Sequence, residues 1–338
     1  MTKSLALWFS SARHVELRPE AVPPPGPGEV QVQTIASAIS HGTEMLVYRG
    51  QVPPELPLDL PTLAGSFAFP IKYGYAAVGR VVASGPGVTR CGPGELVFAL
   101  HPHQTLFNAP ESLVTPLPPG LDPVLGVFTA NLETALNIVH DTPIQLGETA
   151  LVCGQGVVGL LVAQLLRLAG ARRVFAIEPL ERRQELAYMV GVDAVLAPTP
   201  DLSQQLRELN GGRAVDVAVE VSGNNAALQT ALDCVADEGT VVVASWYGTK
   251  PVQLNLGGHF HRGRLTLRSS QVGRLNPVLG PRWDYARRSD TVAALVPRLR
   301  LAELISHRLP FAEAANAYRM VDETPAEVVQ VVLEYGTE

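Results

Sequence analysis

The chain contains one long stretch without a charged residue, Thr149 to Leu166. It opens with the apolar run Thr149-Ala-Leu-Val-Cys153, breaks at Gly154-Gln155-Gly156-Val157-Val158-Gly159, and resumes through Leu160 to Ala169. A short apolar run bounded by glycine predicts a buried strand, and the longer run predicts a helix. A second β-type run, Arg173-Val-Phe-Ala-Ile177, follows and ends at Glu178. By length alone the uncharged stretch could cross a membrane. The glycine turn divides it and Arg167 follows it, so it reads as buried core.

Downstream, the pattern alternates. Helices are predicted over Leu180 to Met189, Leu202 to Leu209 and Asn225 to Val235. Strands are predicted over Ala194 to Leu196, Val215 to Val221, Gly239 to Ser245 and Arg264 to Ser269. Continuous Val/Ala-rich strands alternating with helices imply an α/β fold with a doubly wound parallel sheet. Upstream, to about Leu121, the texture is short β-type runs (Glu29 to Ala38, Gly79 to Ala83, Glu95 to Ala99) separated by Pro and Gly. The segment from Met1 to Phe9 reads as a first strand rather than a signal peptide. The tail from about Arg274 predicts two helices and two strands that return to the first domain. The expected domains are therefore 1–121 with 274–338, and 122–273.

Composition narrows the functional classes. The chain has 338 residues, 46% hydrophobic and 17% charged, with net charge −6. It is globular, long enough for about two domains, and has no Lys/Arg run, which argues against nucleic acid and anionic membranes as partners. Three scattered cysteines, Cys91, Cys153 and Cys234, supply neither a disulfide framework nor a four-cysteine zinc lobe. A cytoplasmic setting is expected.

The glycine turn carries the chemistry. Gly154 permits the tight turn, and Gly156 lets backbone N–H groups, with those of Gln155, Val157 and Val158, approach a pyrophosphate. Gly159 allows close helix–strand packing, and the helix N-terminus favours negative charge. An acid about 20 residues further on can accept the adenosine ribose hydroxyls. Glu178 stands there, and it favours a free 2′-hydroxyl over a 2′-phosphate, so NAD is expected in preference to NADP. Arg182 and Arg183 would soften that discrimination. Val221, Ser222 and Gly223, with Ser245 and Trp246, end later strands and are expected to flank the ribose and nicotinamide.

This order of parts resembles the medium-chain dehydrogenase/reductase family, the zinc-type alcohol dehydrogenase superfamily. Pro25-Gly-Pro-Gly-Glu-Val30, Gly74-Tyr75-Ala76-Ala77-Val78-Gly79-Arg80-Val81-Val82, the glycine turn, and Ala187 to Asp193 carry the resemblance. It implies a Rossmann nucleotide domain inserted in a discontinuous, β-rich GroES-like domain. Ser40-His41-Gly42-Thr43-Glu44 with Gly74-Tyr75 and Val78-Gly79 is similar to the pattern of bacteriochlorophyllide-oxidising dehydrogenases. Ser245 to Gly248, with Arg264 to Gly273, resembles a further group of bacterial dehydrogenase-like proteins.

The same resemblance puts Ser40, Tyr75, Ala76 and Ala130 where zinc-dependent members carry metal-site residues. It therefore implies a member without zinc. His101-Pro-His103 and His259-Phe-His261 read as polar loop histidines rather than a substitute site, with His101 and His103 still within reach of substrate. Without a metal, Tyr75 would point into the cleft as a proton donor. Its phenol has an ordinary pKa of about 10 and needs a nearby cation or hydrogen bond. Lys72 would face away on an extended strand, leaving His41 as the relay partner. Ser40 and Thr43 could bond the substrate oxygen or the nicotinamide ribose.

The expected function is zinc-independent, NAD(H)-dependent hydride transfer on a small alcohol or carbonyl substrate. A quinone or enone C=C reductase is one alternative, and a non-catalytic dinucleotide-binding sensor or scaffold is another. The resemblance further implies a homodimer paired through the strand at Arg264 to Ser269.

Overall fold

The computed structural model describes residues 2–58, 65–248 and 250–336. The described chain divides into two compact units, Met1–Ala130 with Ala293–Glu338, and Asn131–Val292. These boundaries stand beside the expected ones at 121 and 273.

The first unit opens with an antiparallel hairpin, β1 (Thr2–Ser11) and β2 (His14–Val22), turned at Arg13 with φ of 59°. Next come β3 (Glu29–Ile39), the short helix α1 (Thr43–Tyr48) and β4 (Ala77–Ser84). They are followed by β5 (Leu96–Ala99), β6 (Leu106–Pro110), β7 (Val114–Pro116) and α2 (Pro123–Gly126). The β3 strand is the hub of the sheet. Its buried Val30, Val32, Ala36, Ala38 and Ile39 leave little polar surface along the strand, and β4 and β6 both pair with it.

The second unit begins within α3 (Thr129–Asp141) and runs through β8 (Thr149–Cys153), α4 (Val157–Leu168), β9 (Arg173–Ile177), α5 (Glu181–Met189) and β10 (Ala194–Leu196). It continues through α6 (Leu202–Leu209), β11 (Val215–Glu220), α7 (Asn225–Cys234), β12 (Val235–Val243) and β13 (Thr266–Ser269). Every strand pairing in this sheet is parallel, in the order β10-β9-β8-β11-β12-β13. The order reverses between β8 and β11, and such a switch point is where doubly wound sheets bind dinucleotides. β8 is buried along its whole length, as a strand covered on both faces must be. The uncharged stretch is thus a strand and a helix, and among the described residues no helix is long and apolar enough to cross a membrane.

The chain then forms α8 (Tyr285–Leu295), β14 (Ile305–Pro310), α9 (Ala314–Glu323) and β15 (Gln330–Glu334). β15 pairs antiparallel with β3 and parallel with β14. Asp322 of α9 accepts from Arg49 just past α1, at 2.6 Å, and pairs with Arg13 at 3.1 Å.

The element boundaries differ from expectation where glycine or positive φ intervenes. α4 starts at Val157 rather than Leu160, because extended Gly156 (φ −70°, ψ −177°) ends the turn and admits Val157 and Val158 to the helix. β12 starts at Val235, directly after α7, and takes up a register shift around Glu238, whose φ is 63°.

Candidate active site

In the nucleotide-type unit the glycines divide the work as their surroundings require. Gly154 has φ of 99°, and an added Cβ would lie 2.8 Å from the Ser222 backbone. A Cβ at Gly159 would lie 2.0 Å from the Gly154 carbonyl oxygen, so only glycine lets α4 close on the turn. A Cβ at Gly156 would meet nothing within 4 Å. Gly156 is therefore not demanded by packing.

Glu178 is only 3% exposed. Its Oε2 accepts from Gln155 N at 2.7 Å and its Oε1 from Leu180 N at 3.0 Å. The carboxylate is thereby folded onto the glycine turn. Gln155 itself turns inward: its side chain is fully buried and donates to Gly154 O at 3.0 Å. The backbone N–H of Gln155, expected to face a pyrophosphate, is instead taken by Glu178 Oε2. Arg183 is half-buried in the first turn of α5, while Arg182 is exposed.

Val221, Ser222 and Gly223 follow β11, and Ser245 and Trp246 follow β12. Gly223 N donates to Ser245 Oγ at 2.8 Å, joining the two loops. Trp246 is 53% exposed, so it does not serve the core.

The other unit holds a polar cluster around Ser40 and Tyr75. Tyr75 is half-buried, with its ring edge-on to Tyr73 at 6.2 Å. Its hydroxyl donates to Ser40 Oγ through a short hydrogen bond, and Thr43 is a second hydrogen-bonding side chain. Burial raises the phenol to about 12. Hydrogen bonding to Ser40 and Thr43 opposes the shift and the Glu44 carboxylate adds to it. The phenol thus has the hydrogen bonds expected for it, beside the Glu44 anion, and Tyr75 stays protonated through neutral pH. Lys72 does face away, binding Glu20 at 2.9 Å and Gln104 at 3.3 Å. His41 is half-buried in the same turn; the Tyr75 hydroxyl donates to Ser40 Oγ and is hydrogen-bonded with Thr43.

His101 and His103 are more buried than expected of polar loop histidines within reach of substrate. His103 is fully buried, and its Nε2 lies 2.8 Å from Glu44 Oε1. His101 is 8% exposed, stacks on Phe107 at 3.7 Å, and is pushed down to about 3 by burial. Main-chain bonds from Leu7 N to His103 O (2.9 Å) and from Thr105 N to Leu5 O (2.9 Å) lay β1 over this segment. Neither histidine lies in an open loop. His259 Nε2 is 2.9 Å from Val235 O. Among the described residues no three His, Cys, Asp or Glu side chains converge as a metal-binding group.

Glu44 is a residue that the sequence reading left without a role. It is fully buried, and its Oε1 also accepts a short hydrogen bond from Tyr318 while its Oε2 accepts from Ser40 N at 3.1 Å. The network continues from His103 Nδ1 to Ser37 Oγ at 2.6 Å and on to Tyr335 OH at 2.9 Å. The available signal was a carboxylate inside an otherwise apolar helix, Thr43-Glu-Met-Leu-Val-Tyr48.

The chain is similar to known proteins. Residues 157–284 match the family described as zinc-binding dehydrogenase. (R,R)-Butanediol dehydrogenase of Bacillus subtilis is 30% identical over 65% of this chain and 71% of its own. The 2-desacetyl-2-hydroxyethyl bacteriochlorophyllide A dehydrogenase of Cereibacter sphaeroides is 28% identical over 98% of each chain. An alcohol dehydrogenase from Escherichia coli CFT073, solved with NADH, has the same fold. Its TM-score is 0.81 at 18% identity, over 99% of this chain and 100% of its own. The chain belongs to the zinc-binding dehydrogenase family, within the medium-chain dehydrogenase/reductases, and is an NAD(P)-dependent oxidoreductase.

Proposed function

We propose that the protein is a zinc-independent, NAD(H)-preferring dehydrogenase acting on an alcohol/carbonyl pair. The observation that carries the cofactor preference is Glu178. Its buried carboxylate sits on the glycine turn at the end of β9, where it accepts ribose hydroxyls and repels a 2′-phosphate. Arg182 and Arg183, on the helix that follows, are the groups that would weaken this preference.

Zinc independence rests on the donor set. A catalytic zinc takes about three protein ligands and leaves one position open. Ala76 and Ala130 offer no side-chain donor, and the hydroxyl groups of Ser40 and Tyr75 are bonded to each other. These residues do not fit the metal, and no step is assigned to it.

A bound nicotinamide dinucleotide supplies or accepts the hydride. The protein's part is to bind, orient and manage the proton. Tyr75, neutral at working pH, turns its O–H from Ser40 Oγ to the substrate oxygen, and the Ser40 hydroxyl then donates to Tyr75 and orients it. His41 is the titratable group nearest in sequence to Ser40 and is assigned the relay of the proton to solvent. Positioned acid–base groups of this kind contribute on the order of 10²–10⁴ in rate. The named activity of the butanediol relative makes secondary alcohols the first substrates to screen. A homodimer is part of this reading, paired through β13. That strand forms the edge of the parallel sheet and exposes Thr266, Leu267 and Ser269.

The test is titration of purified protein with NADH and NADPH, followed by NAD-linked oxidation assays on small secondary alcohols and polyols, with zinc quantified in the same samples. Tighter binding of NADPH defeats the cofactor assignment. One zinc per chain, with activity lost on chelation, defeats the metal-free one. Turnover confined to enones favours C=C reduction instead.

A further inference from the structure

Glu220 is the last residue of β11 and is fully buried. In register it lies opposite Cys153, directly before the glycine turn, and opposite Val243, the last residue of β12. It therefore stands at the switch point of the sheet, between three loops. Its Oε1 accepts from Ser222 N at 2.7 Å, Ser222 Oγ at 2.7 Å and Gly223 N at 3.0 Å. Its Oε2 accepts from Tyr247 OH at 2.7 Å. One oxygen holds the loop after β11 and the other holds the loop after β12. Burial, then the bond to Glu220, raises the Tyr247 phenol far above its ordinary range, so it remains a donor.

We propose that Glu220 is a positioning residue that locks these two loops in their ligand-ready shape, with Tyr247 setting the affinity for the nicotinamide end of the dinucleotide. This rests on the reading that Val221 to Gly223 and Ser245 to Trp246 flank the ribose and nicotinamide. Only an ionised carboxylate offers acceptors alone on both oxygens, and charge-assisted bonds of this kind are the strong ones. A glutamine would turn an N–H₂ toward one set of donors. The two loops also meet each other, Gly223 N to Ser245 Oγ at 2.8 Å, and the Ser222 backbone lies against Gly154. Fixing loops before a ligand arrives removes an ordering cost from binding.

Tyr247→Phe removes one hydroxyl and leaves the three bonds to Oε1 in place. Glu220→Gln disturbs both loops. The full-length protein and both variants are titrated with NADH and with ADP-ribose, which lacks the nicotinamide. Tyr247→Phe is expected to raise the Kd for NADH about tenfold while leaving that for ADP-ribose at the wild-type value. Glu220→Gln is expected to raise both. If both variants hold NADH at the wild-type Kd, the proposal is overturned. An equal rise for both ligands in Tyr247→Phe overturns the assignment to the nicotinamide end. Should Glu220→Gln fail to fold, Tyr247→Phe decides alone. A wild-type protein that binds neither ligand fails the underlying cofactor reading as well, which separates the two failures.

Discussion

His103 Nε2 lies 2.8 Å from Glu44 Oε1, and neither side chain reaches solvent. The pair has a strict neighbour in Gly74, where an added Cβ would lie 2.9 Å from the His103 ring. Gly74 also has φ of 133°, which L side chains rarely adopt. Replacing His103 by Ala leaves a buried carboxylate short of a partner and should cost about 3–5 kcal/mol of stability. Gly74→Ala should cost about 1–3 kcal/mol from strain alone, and more through the ring. The double variant should lose less than the sum of the two costs, because removing the ring also removes its clash with the new Cβ. Denaturant unfolding measures all three, and full additivity would refute the packing relationship.

The glycines of the turn should respond differently to alanine. Gly159→Ala drives a Cβ to 2.0 Å from Gly154 O and should lower both Tm and NADH affinity. Gly156→Ala places its Cβ in open space, so Tm should hold while NADH affinity falls. Thermal melts beside NADH titrations check this. Unchanged affinity in Gly156→Ala would remove the backbone of that residue from the binding site.

Glu178→Ala leaves the N–H groups of Gln155 and Leu180 without their acceptor, at a cost of about 1–3 kcal/mol. It also removes the charge opposed to a 2′-phosphate. The ratio of NADPH to NADH affinity should rise, by more than the loss of stability alone would produce. A ratio that stays at the wild-type value would show that Glu178 does not select the cofactor.

Burial holds His101 at about 3 in the folded protein, against an ordinary 6.5. The unfolded chain therefore binds the extra proton between these values, and stability present above pH 6.5 is lost as pH falls toward 3. About 1–2 kcal/mol should disappear between pH 6.5 and about pH 5. His101→Phe, which keeps a ring against Phe107, should flatten this acid limb. Equal slopes in both proteins would contradict it.

Tyr75 has the opposite sign of pH dependence. Its folded pKa of about 12 exceeds the ordinary 10, so its contribution is complete below pH 10 and is lost as pH rises through 12. Tyr75→Phe should lose part of the alkaline fall in stability. It should also depress turnover at neutral pH by on the order of 10²-fold if the phenol donates to substrate oxygen. Unchanged turnover would return Tyr75 to a packing role.

The sequence by itself determined the nucleotide-type unit. Apolar runs with glycine between them admit few local conformations, so β8, β9 and Glu178 just after β9 could be placed within a residue or two. Glycine identities at 154, 156 and 159 carry backbone geometry directly, which is why they are legible without coordinates. The polar cluster of the other unit was different. Glu44, His103, Ser37, Tyr318 and Tyr335 come from distant parts of the chain and meet only through β3, β15 and α9. Local pattern cannot show that His101 and His103 are covered by β1, or that an anion rather than a cation sits beside Tyr75. Nor could it show that Glu220 would face two loops at once. Backbone conformation is written locally in the sequence. Burial and the partners of charged groups are decided by which strands pair, and that required the tertiary structure.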